Sequence, residues 1–251
     1  MFDRDALVAQ LDSRIYTVTV LEEIESTNTA LKEMAQQGAR KGTTLIAERQ
    51  TGGRGRLGRQ FHSPEGGLYL STLIAVHPWD DPGRITCCAA VAVVRALGRL
   101  CGLQADIKWV NDVYLNGRKL AGILAEGVFT PDGHLTSVVL GIGINVGAIA
   151  FPEDLASIAT SLANEGYSVT REEVAAAVLI QLYHVLADDA KRAMEEYRHR
   201  NVVLGRSVTV TRGSETYPAT VEAITDEGHL VVRTTDNEIR TLSSGEVSVK
   251  L

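Results

Sequence analysis

The sequence predicts an α+β fold. A larger part carries a mostly antiparallel sheet with flanking helices, and a small all-β part follows it. Two observations carry this prediction. Up to about residue 200, β-rich runs are joined by hairpin signals more often than by strand–helix alternation, which favours antiparallel pairing. After Asn201 only short β-rich runs remain, separated by Gly or Asp turns. A chain of 251 residues, 45% apolar and 22% charged, has room for one medium domain and a second, small one.

The elements follow in order. Residues 15–24 (IYTVTVLEEI) alternate Ile15, Thr17 and Thr19 against Tyr16, Val18 and Val20, a strand pattern. Ser26 to Asn28 supply N-cap chemistry for a helix with the stripe Leu31, Met34 and Ala35, closed by Gly38. GTTLIAERQ is a second strand, running into the glycine-rich stretch 52–67. GGLYLSTLIAV (66–76) is a third, apolar enough to be central. GRITCCAAVAVVRALGRLCG (83–102) reads as a buried small-residue helix ended by Gly102. DIKWVNDVYLNGRKLAGILAEGVF holds two β-rich runs joined at Asn116–Gly117, a type I′ hairpin signal. Residues 134–147 form another apolar strand leaving into glycines. Residues 170–200 open with a Thr170/Glu173 capping box and place Val174, Val178, Leu182 and Val185 on one helical face. Five short β-rich runs then suggest a small barrel. The domain boundary falls near residue 200, giving parts 1–200 and 201–251.

Composition excludes several classes. Lys and Arg number 25 against 31 Asp and Glu, a net charge of −6 with no basic tail, so no DNA partner is expected. The apolar runs are too short to span a membrane. The opening MFDRDALVAQL carries acids and lacks an apolar leader core, so the cytoplasm is the expected compartment. Cys87, Cys88 and Cys101 form no CxxC and read as reduced thiols, and the six histidines show no metal-ligand spacing.

GGRGRLGRQFHSPEGG (52–67) sets the functional question. Gly53, Gly55 and Gly58 spell G-x-G-x-x-G, yet turn residues follow where a dinucleotide site needs a helix, and no acid ends a later strand at ribose distance. Arg59–Gln60 stand where a phosphate loop needs Lys–Ser/Thr. Both readings fail. What remains is a loop holding Arg54, Arg56 and Arg59, with Arg49 upstream and no acid between. Such a cluster is either a solvated basic loop or an anion cradle. Two further features favour the cradle. Lys108, Trp109, Asn111 and Asp112 lie on or beside one strand, and Lys119 lies on its hairpin partner, pairing near Tyr114. A lysine and a carboxylate at one hairpin end suit phosphate and magnesium, although ordinary cross-strand ion pairs share the pattern. Asn145 in GIGINVG follows a strand through glycines.

ESTN, GRGRLGR, KWVNDV, GRKLAGILAE and GIGINVG, in this order, closely resemble the motifs of biotin–protein ligases, and the resemblance covers essentially the whole chain. It implies a class II synthetase-like catalytic domain and an SH3-like barrel. It also implies a two-step reaction using biotin, ATP and Mg2+: biotin becomes biotinyl-5′-AMP, then passes to a lysine of a biotin carboxyl carrier domain. By resemblance Lys119, Arg56 and Asp112 are catalytic, with Asp112 also the magnesium ligand. Ser26, Thr27, Asn28, Gln50, Gly52, Arg54, Arg56, Lys119 and Gly122 would hold biotin. Arg54, Arg56, Arg59, Phe61, Asn111, Asp112, Lys119 and Asn145 would hold ATP and the adenylate, while Gly141 and Gly143 shape the pocket. Val110 stands where the family usually reads Pro, and Phe61 where a Trp often stacks on adenine. Some members are also repressors with an N-terminal helix-turn-helix. Here residues 1–14 precede the first predicted strand, so a monofunctional ligase is expected, with an exposed sheet edge through which it could form a homodimer. A lipoate or octanoate ligase, or a non-enzymatic binding module, are the competing readings. Pyrophosphate release in the presence of biotin separates all three.

Overall fold

The computed structural model describes residues 1–76, 81–243 and 246–248. Its larger sheet has seven strands: β1 (Thr17–Ile24), β2 (Thr43–Gln50), β3 (Leu68–Ala75), β4 (Asp106–Lys108), β5 (Asp112–Leu115), β6 (Arg118–Phe129) and β7 (Leu135–Ile144). Their spatial order is β1-β2-β3-β7-β6-β5-β4. β1 and β2 run parallel, with helix α2 (Thr27–Gln36) as the crossover that a parallel pair requires. The other ladders are antiparallel, as the hairpin signals predict.

Side-chain alternation sorts the sheet into two faces. Ile46, Leu68, Leu70, Leu140 and Ile142 point into the main core with α3 (Pro82–Cys101) and α5 (Arg171–Asp188). The short α1 (Arg4–Val8) contributes Leu7 to that core. Leu45, Leu73 and Val139 point the other way and pack with Leu31 of α2. α3 starts at the Asp81 cap with Pro82 in its first turn and stops at Gly102, whose φ of 66° is the left-handed helix end. Cys87 and Cys88 are buried free thiols, and burial pushes the Cys87 thiol far above the range of a reactive thiolate.

Two predicted elements divide. The periodic run 170–200 is two helices, α5 and α6 (Ala190–His199), broken at Asp189. The Thr170/Glu173 capping box forms as predicted. Arg95 of α3 braces the break, reaching Asp189 at 2.5 Å and Glu196 at 2.8 Å. The run 106–115 is likewise two strands: β4 turns back at Trp109–Asn111 so that Lys108 pairs Asp112. A short helix, α4 (Glu153–Ala156), lies in the connection after β7.

The C-terminal segment forms β8 (Ser207–Arg212), β9 (Glu215–Ile224), β10 (Leu230–Thr234), β11 (Ile239–Leu242) and β12 (Glu246–Ser248), the predicted five short strands. They make one antiparallel sheet ordered β11-β10-β9-β8-β12. Val210, Val221, Leu230 and Val232 face inward and join the same contiguous core as α3.

Candidate active site

Strand register builds the floor of the site. Tyr69 on β3 pairs Gly143 on β7, Gly143 pairs Gly122 on β6, Gly122 pairs Asp112 on β5, and Asp112 pairs Lys108 on β4. The next row holds Ser71, Gly141 and Leu124. Paired residues share a face, so charged groups gather at one end, hydroxyls at the other, and glycines lie between. The result is a cavity of about 480 Å³. The glycines are required by close approach: a Cβ on Gly141 would lie 2.1 Å from Asn28 Oδ1, and one on Gly143 would lie 2.6 Å from the Phe61 ring.

Lys119 reaches this face through a β-bulge. Val113 pairs Ala121 and Tyr114 pairs Lys119, leaving Leu120 as the extra residue. Strict alternation would send Lys119 to the face opposite Gly122. The inserted residue restores it to the cavity side, a common way to re-aim a functional side chain. Its Nζ then lies 2.7 Å from Asp112 Oδ1 and 5.7 Å from the centre of the Phe61 ring. The Lys119 backbone is clamped as well, its N–H donating to Ile158 O and its carbonyl accepting from Thr160 N–H. Lys119 therefore pairs Tyr114 and reaches Asp112 as the sequence indicates, but by a bulge that the sequence does not announce.

The hydroxyl end is a closed hydrogen-bond network. Gln50 Oε1 accepts from the Thr27 N–H at 2.8 Å and lies 3.1 Å from Thr27 Oγ1, and Gln50 Nε2 donates to Ser63 Oγ at 3.1 Å. Asn28 Nδ2 donates to Glu126 Oε2 at 3.0 Å, which turns Asn28 Oδ1 toward Ser71 Oγ, 2.6 Å away. An amide oxygen only accepts, so the single Ser71 proton goes to Asn28. The Thr27 hydroxyl, 2.8 Å from Ser71 and 3.1 Å from Gln50, must donate inward to one of them. What Thr27 offers a ligand is a lone pair, suited to an N–H donor.

The arginine stretch is a small hairpin. Gly55 N–H donates to Arg59 O and Phe61 N–H to Gly53 O, with a 3-10 turn at Arg56–Gly58. A Cβ on Gly53 would lie 2.4 Å from Ser63 Oγ, and Gly58 has φ +76°. The glycine spacing thus serves the loop's own backbone. Arg54 lies 3.4 Å from Glu126, and Arg56 sits half-buried over the Trp109 ring. Burial lowers the Arg56 pKa while Asp112 works in the opposite direction, so the guanidinium stays charged. Arg49 turns away from the site and pairs with Glu23.

Thr27, Asn28, Gln50, Arg54, Arg56, Arg59, Phe61, Asn111, Asp112, Lys119, Gly122 and Asn145 all line this cavity. Ser26 and Gly52 are outside the lining. The Ser26 hydroxyl caps α2 by accepting from Thr29 N–H at 3.4 Å, and the Gly52 N–H donates to Glu25 O. Asn111 and Asn145 line the wall with their amides already engaged. Asn111 Nδ2 donates to Ile123 O at 3.0 Å, and Asn145 Nδ2 to Thr160 O at 2.9 Å. Sequence reasoning missed Ser71 and Glu126, and it noted Trp109 beside the strand without a role. The polar pair Ser71–Thr72 inside the apolar strand LYLSTL was the available signal for Ser71.

Residues 20–145 match the family model described as the biotin/lipoate A/B protein ligase family, and residues 203–250 match the biotin protein ligase C terminal domain. The bifunctional ligase/repressor BirA of Bacillus spizizenii is 39% identical over 180 residues, covering 70% of this chain and 53% of that protein. The biotin–[acetyl-CoA-carboxylase] ligase of Mycobacterium tuberculosis is 32% identical over 255 residues, 92% of each chain. Among solved structures, the biotin protein ligase from Aquifex aeolicus in complex with biotin and ATP superimposes with a TM-score of 0.79 at 30% identity, over 93% of this chain and 98% of that one. The glycine floor, the hydroxyls and the cations of this cavity thus lie within residues 20–145, and the chain belongs to the biotin/lipoate A/B protein ligase family.

Proposed function

We propose that this chain is a biotin–protein ligase, activating biotin with ATP and transferring it to a lysine of a biotin carboxyl carrier domain. One observation carries the reading: a single cavity joins a neutral pocket with fixed donors and acceptors to a cationic end. The Thr27 lone pair and the Gln50 amide suit a cyclic urea, which has two N–H donors and one carbonyl. A lipoyl head has no such groups. The named biotin ligases among its relatives support the same choice.

In the first step the biotin carboxylate oxygen attacks the ATP α-phosphorus, the bond to the bridging oxygen breaks, and pyrophosphate leaves. Lys119 lies where carboxylate and α-phosphate would meet, and Arg54, Arg56 and Arg59 surround the charge that grows there. In the second step a carrier lysine attacks the anhydride carbonyl, AMP leaves, and the amine proton passes toward Asp112. Asp112 Oδ1 is buried without a well-directed hydrogen bond despite its ion pair with Lys119, which fits a place for a hard cation. Among the described residues no three His, Cys, Asp or Glu converge, so Mg2+ would bind with the nucleotide, with Asp112 as one ligand. That ion would neutralise phosphate charge. The unit boundary is placed near residue 200, supported by the 203–250 match.

The test is pyrophosphate release with biotin, lipoate or neither, at fixed MgATP. Biotin-dependent release is expected. Release with lipoate alone, or none with either acid, would rule this function out.

A further inference from the structure

Trp109 joins three parts of the molecule. Its indole N–H donates to Gly228 O at 2.8 Å, in the turn between β9 and β10 of the C-terminal sheet. Its ring lies under Arg56, whose guanidinium carbon is 6.0 Å from the ring centre, at the outer range of a cation–π contact. The adjoining Val110 carbonyl accepts from the buried Tyr197 hydroxyl at 2.9 Å.

The turn above has little freedom. Gly228 has φ +84°, and a Cβ there would lie 2.7 Å from Cys87 Sγ and 3.2 Å from the Gly83 carbonyl. Arg198 Nε also donates to Ile224 O at 2.7 Å, fixing the end of β9 to α6. The arginine hairpin is the opposite case. Arg56 is followed by Leu57 at φ 56° and then Gly58, and two backbone hydrogen bonds close the hairpin. Where Arg56 sits therefore depends on the surface beneath it. A tryptophan serving the core alone would explain burial. It would not explain an N–H given to one sheet and a ring face given to the loop.

We propose that Trp109 is a positioning residue through which the C-terminal sheet sets the place of Arg56 over the acyl-adenylate. This rests on the adenylation reading above. Trp109 acts through Arg56: the Gly228 carbonyl fixes the tilt of the indole, and the indole fixes the guanidinium.

The experiment measures how long preformed biotinyl-adenylate stays bound after free biotin and ATP are removed, in wild type, Arg56→Ala, Trp109→Phe and the double variant. Phenylalanine keeps an aromatic face and loses the N–H anchor. Trp109→Phe should shorten retention about tenfold, and the double variant should be no worse than Arg56→Ala alone. Biotin affinity without ATP should stay within about twofold, because the Thr27–Gln50 network does not touch Trp109. Effects that multiply, or a loss of biotin affinity equal to the loss of retention, would overturn the proposal. Gly228→Ala perturbs the turn from outside the cavity and decides the matter if Trp109→Phe does not fold. It should shorten retention without adding to Arg56→Ala, and wild-type retention in folded Gly228→Ala would refute the coupling. Wild-type pyrophosphate release is measured first, so failure of the ligase reading is recognised separately.

Discussion

The two ends of the cavity share one glycine floor and differ in how their polar groups are held. At the Thr27–Gln50–Ser71 end, Thr27, Asn28 and Ser71 are 3%, 4% and 0% exposed, and each is hydrogen-bonded to its neighbours. At the other end, Arg54 and Arg59 are exposed, and the hairpin tip Leu57 is 69% exposed. The contrast follows from charge. Neutral donors and acceptors can satisfy one another in the ligand-free fold, so that end can be built in advance and buried. Clustered guanidinium groups cannot be buried together without an anion, because desolvation and mutual repulsion oppose it. They stay partly solvated on a loop until a negatively charged ligand arrives. On the proposed function, recognition of the head group falls to the folded core, and charge handling falls to the loop and its neighbours.

The largest break in this comparison is expected at Lys119, which belongs to the sheet yet lies at the charged end. Lys119→Ala should lower biotin-dependent pyrophosphate release by roughly 100-fold to 1,000-fold, as removal of a preorganised charge does. Biotin binding at the hydroxyl end should change far less. Near-normal release from the folded variant would remove Lys119 from the chemistry.

A second substitution isolates the neutral end. Ser71→Ala takes the proton from Asn28 Oδ1 and a partner from Thr27, and should weaken biotin binding about tenfold, an ordinary value for a buried hydrogen bond. The KM for ATP should not move. Titration calorimetry on the free enzyme reads the first quantity and steady-state kinetics the second. A matching change in both would mean that the two ends are not separable.

A third expectation sharpens the contrast without mutation. Raising salt from about 0.05 M to 0.5 M shortens the screening length about threefold. The KM for ATP should rise several-fold while biotin affinity stays nearly level. Equal sensitivity at both ends would contradict the division.

Much of this was legible in the sequence, and the limits have physical causes. Period-two alternation and the Asn116–Gly117 turn gave β5, β6 and the Lys119–Tyr114 pairing, with φ of 51° and 75° at the turn. Local patterns do not register where a strand breaks for tertiary reasons. The turn at Trp109–Asn111 is held by Asn111 pairing with Ile123, a contact made only once β6 is in place. The Leu120 bulge is invisible for the same reason, since Leu120 fits either register in an apolar strand. Asn145 lines the cavity wall, but sequence could not show that Thr160, fifteen residues later, engages its amide. Residues whose role depends on short-range spacing were readable. Those whose role depends on a distant backbone carbonyl were not.

Arg56 gives the smallest expected effect on the first step and the sharpest separation of the two ends. It sits between the exposed loop and the buried floor, half-buried over Trp109, and the first-step geometry does not hang on it alone. Lys119 and Asp112 are fixed by the β5–β6 ladder whatever the loop does. Arg56→Gly should therefore leave pyrophosphate release within a few-fold of wild type, since Lys119 supplies the charge at the reacting phosphate. The loop would lose its contact with the Trp109 ring, and a mixed anhydride no longer covered is open to water and to any amine. Released biotinyl-AMP acylates exposed lysines on unrelated proteins. Incubating the variant with biotin, ATP and a lysine-rich bystander protein, then blotting for biotin, should show bystander labelling well above wild type. If labelling stays at the wild-type level while the adenylate forms normally, the loop gathers substrate and does not retain the intermediate. The charged end would then be a site of attraction alone, and retention would have to come from the buried floor.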